Sequence, residues 1–314
     1  MIETVIGLIS YNDKHYLEKS LPVLMDLPNA SIVVLDNAQN KEIESYIKKN
    51  FPKVTYLTHP EGNTGFSKGH NYILEKSPES KYYFCLNTDI LIEKDGYTAC
   101  SKALEEDKNL FMTSGKLYHW DFSNNKKTDV IDTLGIIGSR GHHFWDRGQG
   151  KVDKGQYNET INKVFGISGA AFFARRDLIK KLHGNNNKLF DETIFMYKDD
   201  VDLAYRARWQ NLKIKFLPDI LGYHARTLGK GKKKSIFEAK NSYKNHFIML
   251  RSNLSGKYKV QTKLSILMYE GLKFLYYLFT KPRVLSVIPE AFRAKVKKSI
   301  RTISPKEMEK HFLK

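Results

Sequence analysis

A chain of 314 residues allows one large domain, or one domain with an appendage, and a content of 41% hydrophobic and 12% aromatic residues excludes the intrinsically disordered class. The formal net charge of +18 is unevenly placed. From Lys230 onward 21 Lys plus Arg stand against 5 Asp plus Glu, a net of +16, which leaves +2 for residues 1–229, so an anionic partner surface is expected on the tail and not on the body.

The first hundred residues alternate regularly. Apolar, β-rich runs TVIGLIS (Thr4 to Ser10), SIVVLD (Ser31 to Asp36), VTYLT (Val54 to Thr58) and YYFCLN (Tyr82 to Asn87) are separated by helical stretches such as HYLEKSLPVLMDL and KEIESYIKKN. Repeated strand, helix, strand predicts an α/β fold with a parallel sheet and helices on its faces, and ligands in such sheets bind outside the carboxyl ends of the strands. Those ends are polar here: Ser10, Tyr11 and Asn12, then Asp36 and Asn37, then Asn87, Thr88 and Asp89.

After Asp107 the Gly-, His- and aromatic-rich stretches YHWDFSNN and GSRGHHFWDRGQG predict an irregular excursion over the sheet edge. KVFGISGAAFFARR then precedes a helix expected from about Asp177, and MYKDDVDLAYRARW opens another near Asp199. A strand KIKFLP, a short run ILGYH ending at His224 and a Gly/Lys loop LGKGKKK follow. Residues 237–281 read as helices. Within them KLSILMYEGLKFLYYLF (Lys263 to Phe279) is strongly apolar but interrupted by Glu270 and Lys273, which argues against a membrane span. It suits either a helix lying in a membrane interface or one packed on the core.

Three stretches have residue types suited to chemistry, each with a plain alternative. In GNTGFSKGHN (Gly62 to Asn71) the glycines let backbone amides approach a phosphate at a helix N-terminus, or merely form a capped turn. It matches neither GxGxxG nor GxxxxGK[ST]. In LNTDI, Asn87 and Asp89 offer oxygen ligands to a hard cation on a diphosphate, or form an Asx-turn. Asp199, Asp200 and Asp202 complement a helix N-terminus, although one N-cap would suffice for that, and a carboxylate beside a cleft serves as a general base. His224 completes a metal shell or is structural.

In order the chain presents SYN at Ser10, VVLDNA at Val33, NTGFSKGHN at Asn63, LNTDI at Leu86, GAAFFARR at Gly169, FDETIFMYKDDVDL at Phe190 and YHARTLGKG at Tyr223. This ordered set, over roughly residues 2 to 230, resembles the family 2 glycosyltransferases of the GT-A fold, closest to the rhamnosyltransferase-like members that build bacterial surface polysaccharides. The resemblance implies a GT-A domain over residues 1–235, with a Rossmann-like, mainly parallel sheet, and a basic helical extension over 236–314.

It further implies that Asn12 and Asp36, with Ser10 and Tyr11 beside them, hold the nucleotide base and ribose. Asn63, Gly65, Lys68 and Asn71 match the loop beside the nucleotide, and Asn87 and Thr88 complete that set. Asp89 matches the last acid of a DxD-type motif for a divalent cation, Mg²⁺ or Mn²⁺, and His224 the histidine that joins it. Asp200 matches the general base of inverting members, with Asp199 and Asp202 as acceptor-side or helix-start residues. Asn87 replaces the motif's first acid, and Asp199-Asp200 stands in place of Glu-Asp. Tyr205 occupies the Gln position of the QxxRW motif of processive synthases, which favours addition of a single sugar, rhamnose among the candidates, from a UDP- or dTDP-sugar to a glycan or lipid-linked acceptor.

Cys85 and Cys100 lack both metal-ligand spacing and a disulfide framework, and the opening run VIGLIS is too short for a signal peptide or a span. The expected setting is the cytoplasm, with the basic tail on the anionic inner face of the cell membrane. Two rival readings stand beside this one. A sugar-nucleotide nucleotidyltransferase would carry its Gly-rich loop directly after the first strand, where this chain has SYNDKHYL. A nucleic-acid-binding protein would account for the pI of 9.5, but no nucleic-acid motif is present and the first 229 residues are near neutral.

Overall fold

The computed structural model describes residues 3–184, 186–226 and 235–313; the Lys-rich stretch Leu228 to Lys234 lies outside them. Strands β1 (Thr4–Ser10), β2 (Ala30–Asp36), β3 (Thr55–Leu57) and β4 (Tyr82–Asn87) form where the apolar runs predict them. They pair in parallel in the order β3-β2-β1-β4. Helices α1 (Lys14–Met25), α2 (Lys41–Asn50) and α3 (Gly65–Lys76) cross between them. Two apolar layers lie on the two faces of the sheet, one with Val5, Val33 and Cys85, the other with Ile6, Val34 and Phe84. Burial on both faces explains why these strands read as unbroken apolar runs. The bounds of α2 match the sequence reading because its ends are signalled: Asn40 accepts from the Glu42 amide, acids fill the first turn, and Lys48 and Lys49 the last.

The chain then departs from the simple alternation. Strand β5 (Ile90–Ile92) follows β4 almost directly yet pairs with the far side of the sheet, and α4 (Lys94–Glu106) leads into β6 (Leu110–Asp121). The nine-stranded sheet continues from β4 through β10 (Ala171–Arg175), β6 and β11 (Lys213–His224) to β5, with β7 (Lys126–Thr133) also paired to β6. β10 runs antiparallel between β4 and β6, and β11 is parallel to β6.

The irregular excursion expected after Asp107 is therefore corrected in part. Tyr118–Asp121 ends a twelve-residue strand, and β8 (Ile136–Gly138) and β9 (Phe144–Asp146) make a small hairpin from the Gly/His-rich stretch. Sequence periodicity misses β6 because its centre, residues 113–116, is polar yet buried. Ser114 Oγ donates to the Ala171 carbonyl, and Lys116 Nζ lies 2.8 Å from Asp153 Oδ2. The two runs expected before His224 are one strand, β11, with register shifts between Phe216 and Gly222, around Pro218. The helix expected from Asp177 shrinks to α5 (Arg176–Ile179), and Gly184, at φ +65°, lies in the turn beyond it.

α6 (Asp199–Trp209) starts at the aspartate cluster and is buried on nearly all sides. Its outer cover is the C-terminal region: α7 (Ile236–Asn253), α8 (Val260–Thr280), α9 (Ile288–Arg293) and α10 (Pro305–Met308). α7 begins with a capping box between Ser235 and Glu238. The region shares the body's core. Trp209 Nε1 donates to the Asn253 carbonyl, the Thr302 amide to the Trp209 carbonyl, and Phe312 stacks on His142 and Phe165. α8 turns Glu270 toward α7, where it meets His246, and exposes a stripe of Val260, Leu264, Leu267, Met268, Leu272, Leu275 and Phe279. No helix among the described residues is long and apolar enough to cross a membrane.

Candidate active site

The carboxyl ends of β1, β2 and β4 form one rim. Asp13 ties two of them together, accepting from Ser10 Oγ and Thr88 Oγ1. Tyr11 stands out of this rim, 59% exposed, and Asn12 sits at φ +56°, its side chain accepting from Asn40. Asp36 is fully buried, with its oxygens taken by the Ala38 and Asn40 amides and the Tyr56 hydroxyl. Tyr56 is pushed above its ordinary pKa by burial and by that carboxylate.

The Gly-rich loop docks on the same rim. Asn37 accepts from Thr64 and donates to the Gly65 carbonyl, while Asn63 accepts from the Gly65 amide. Gly65 has φ +71°, and a Cβ there would lie 2.4 Å from the Phe195 carbonyl oxygen, so only glycine fits. Lys68 pairs with Glu61 at the surface, 2.6 Å away. Asn71 faces the protein: it accepts from the Leu189 and Phe190 amides and donates to the Phe190 carbonyl, fixing the segment that leads to the aspartate cluster.

At the other end of the rim, strand register places Asp89. β5 pairs antiparallel with β11 so that Ile90 lies opposite His224, and the Ala225 amide donates to the Asp89 carbonyl. His224 Nε2 then lies 3.2 Å from Asp89 Oδ2, and its Nδ1 lies 2.8 Å from Asp132 Oδ2. Arg226 holds Asp132 at 2.9 Å and Asp146 at 3.0 Å. Burial alone would favour a neutral imidazole, but Asp89 and Asp132 outweigh it and raise His224 to about 9. Burial would likewise raise Asp89, but His224 holds it below the usual carboxylate range.

Asp89 and His224 fit a hard divalent cation. Two ligand atoms at right angles, with bonds of about 2.1 Å, stand about 3 Å apart, close to the observed 3.2 Å. Among the described residues no three His, Cys, Asp or Glu side chains converge as a complete metal shell, and Asp132 sits on the far ring nitrogen. Two protein ligands with the remainder from substrate phosphate and water is how Mg²⁺ is ordinarily held. Asp132 is then the carboxylate that fixes the ring orientation of a ligating histidine. Asp132, Asp146 and Arg226 were missed from the sequence. Arg226 had a signal, its spacing of two from His224, whereas the two aspartates lie in a region without motifs.

The aspartate cluster meets the same rim through adjacent residues of one segment. The Gly169 amide donates to Asp200 Oδ2 at 3.2 Å, and the Ala170 carbonyl accepts from the Asn87 amide at 2.8 Å. Asp200 thus lies beside the LNTD turn, and its other oxygen accepts from its neighbour Val201. Asp202 points elsewhere, into an ion pair with Arg206 at 2.6 Å and a bond from Asn253, which makes its surroundings those of a structural residue. Tyr197 and Lys198, just before the cluster, both have positive φ, +68° and +72°, at a cost on the order of 1 kcal/mol each.

Burial, and then the adjacent Asp200 charge, push Asp199 up to about 8 from the ordinary 3.8. Between those values the folded chain holds a proton that the unfolded chain has lost, so this residue's contribution to stability declines as pH rises through the window. Asp199→Asn should therefore gain in melting temperature relative to the parent as pH rises from 5 to 8. Parallel melting curves across that range would refute the shifted ionisation.

No family model matches the chain. It is 24% identical over 238 residues to the rhamnosyltransferase WbbL of Escherichia coli (strain K12), spanning 70% of this chain and 82% of that one. Among solved structures it is similar to the mannosyltransferase PcManGT from Pyrobaculum calidifontis, in complex with GDP-Man and Mn²⁺. That match has a TM-score of 0.56 at 15% identity, over 93% of this chain and 76% of that one. GalNAc-T7 with UDP, GalNAc and Mn²⁺ matches at a TM-score of 0.62 and 13% identity, over 98% of this chain and 54% of that one. The fold is GT-A.

Proposed function

We propose that this chain, a glycosyltransferase of the rhamnosyltransferase-like branch of family 2, transfers a single sugar with inversion from a UDP- or dTDP-sugar to a hydroxyl of a glycan or lipid-linked acceptor in surface polysaccharide synthesis. Rhamnose is the first sugar to test, because the matching curated relative is a rhamnosyltransferase. The observation that carries the reading is the bridge of Gly169 and Ala170, which sets the Asp200 carboxylate beside the turn that bears Asp89.

In this reading the rim at Tyr11 and Asn12, held in place by the buried Ser10 and Asp36, receives the nucleotide. Asp89 and His224 would hold a divalent cation, which when bound would supply positive charge for the departing diphosphate. Asp200 takes the proton of the acceptor hydroxyl as that oxygen bonds to the anomeric carbon and the bond to the diphosphate breaks. Burial and the Asp200 charge favour the protonated form of Asp199, which spares the cleft a second negative charge. A panel of nucleotide-sugars assayed for diphosphate release with Mn²⁺ or Mg²⁺ tests this. A dTDP- or UDP-sugar should be turned over well above the rate of an Asp200→Asn control, and equal rates for every donor would overturn the reading.

The exposed apolar stripe of α8 supports a reading in which the enzyme docks on the anionic inner face of the membrane, where a lipid-linked acceptor would be presented. Lys257, Lys259 and Lys263 flank one end of the stripe, and Lys281 and Arg283 the other. Each contributes on the order of 1 kcal/mol near an acidic surface. Charge attraction is screened by salt while apolar burial is not, so binding to acidic liposomes should weaken, without vanishing, at high salt. The full chain carrying Leu267→Glu and Leu272→Glu should lose the salt-resistant part. Indifference to liposomes, with a steep salt dependence on RNA or DNA, would instead mark the tail as nucleic-acid-binding.

A further inference from the structure

The residues before Asp199 form a turn that their own side chains disfavour. Tyr197 and Lys198 occupy the left-handed region in tandem, which single non-glycine residues visit sparingly. Such strain persists only where the surroundings impose it. The carbonyls of this segment show what imposes it. Phe195 O accepts from the Phe66 amide at the start of α3, and Lys198 O accepts from the Asp202 amide, opening α6. The two between them, Met196 O and Tyr197 O, both accept from Asn245 Nδ2 on α7, at 2.7 and 3.3 Å. Asn245 is fully buried, and its Oδ1 has no hydrogen-bond partner among the described residues, so its polar contacts are these two donations. Tyr197 is gripped a second time from α7, its hydroxyl donating to Glu238 Oε1 at 2.9 Å.

We infer that Asn245 is a positioning residue for the transfer: by clamping the strained turn it fixes where α6 begins, and with it the direction in which Asp200 faces the acceptor. The inference rests on Asp200 being the general base. It gives the C-terminal region a part in the chemistry, because the clamp comes from α7 while every site residue named from the family motifs lies at or before His224. It also accounts for the close join between the two regions, since a mobile α7 would release the turn.

The test uses the full-length chain and the donor that gives the fastest diphosphate release in the nucleotide-sugar panel. Asn245→Asp keeps the side chain's size and turns the two donations into repulsions against carbonyl oxygens. Its kcat should fall by about tenfold or more, since misplacing a reacting group by about 1 Å costs up to about a hundredfold. The donor KM, and the dissociation constant for UDP or dTDP with Mn²⁺, should stay within about twofold of the parent. Asn245→Ala, assayed alongside, removes the donor without adding charge and guards against a folding failure peculiar to the aspartate. In a Lys198→Gly background, where positive φ is freely adopted, the loss caused by either change should shrink at least about threefold. A purely structural asparagine would lower the melting temperature and leave kcat in place. If Asp200→Asn is inactive while both Asn245 variants keep parental kcat, the clamp is wrong and the base stands. If Asp200→Asn turns over normally, the base assignment is what fails.

Discussion

Replacing Asp200 by Asn is expected to lower turnover by about a hundredfold or more while leaving donor binding nearly unchanged. The amide has the carboxylate's shape and keeps an oxygen to accept from the Gly169 or Val201 amide, so the turn around it should survive. What it loses is the ability to take a proton. Asp199 does not replace it readily, because it is buried, and burial, the larger cause of its raised pKa, still disfavours its ionised form once the Asp200 charge is gone. The comparison is kcat and KM of parent and variant with the same donor, read beside nucleotide binding. A variant with near-parental kcat would remove Asp200 from the mechanism, and one that also lost nucleotide affinity would point to a collapsed rim.

The parts of the fold legible in the sequence are those held by local signals. β1 and β4 coincide with their apolar runs, and α2 with its cap and charges, because each is set by residues within it. β5 was not legible: three residues directly after β4 are assigned by pairing with β11, more than a hundred positions away. That same pairing brings Asp89 to His224, so a family resemblance could name the two residues while no periodicity could say that they meet. Asp132 and Asp146 escaped for the same reason, since both reach the site through β7 and β9, in the stretch that read as irregular. The aspartate cluster reads in the sequence as both helix start and active site, and in the structure its residues face different partners. Asp202 is turned to Arg206, and Asp200 to Gly169. Lys68 and Asn71, expected beside the nucleotide, bond here to Glu61 and to the segment 189–190.

Removing Asp89 should have the largest effect on donor binding. The dissociation constant for UDP or dTDP in the presence of Mn²⁺ should rise by more than about a hundredfold in Asp89→Ala, beyond the range for losing an outer-shell partner. The same constant measured in chelator should change little between parent and variant. His224→Ala should lose less, on the order of tenfold, because the imidazole must first give up the proton that Asp89 and Asp132 favour and then supplies a lone pair and no charge, whereas the carboxylate supplies both. Local geometry supports that order. Without His224, Asp132 still has Arg226 at 2.9 Å and is not left as a lone buried charge, and Asp89 keeps its place through the bond from the Ala225 amide to its carbonyl. Without Asp89, His224 keeps Asp132 but faces the diphosphate alone. Titration calorimetry of parent and both variants, each with Mn²⁺ and with chelator, separates the contributions. Equal affinity in Mn²⁺ and in chelator for the parent would mean that the turn of Leu86 to Asp89 holds no cation. A larger loss in His224→Ala than in Asp89→Ala would mean that the histidine, held by Asp132, is the principal ligand and that Asn87 in place of the motif's first acid has shifted the site toward it.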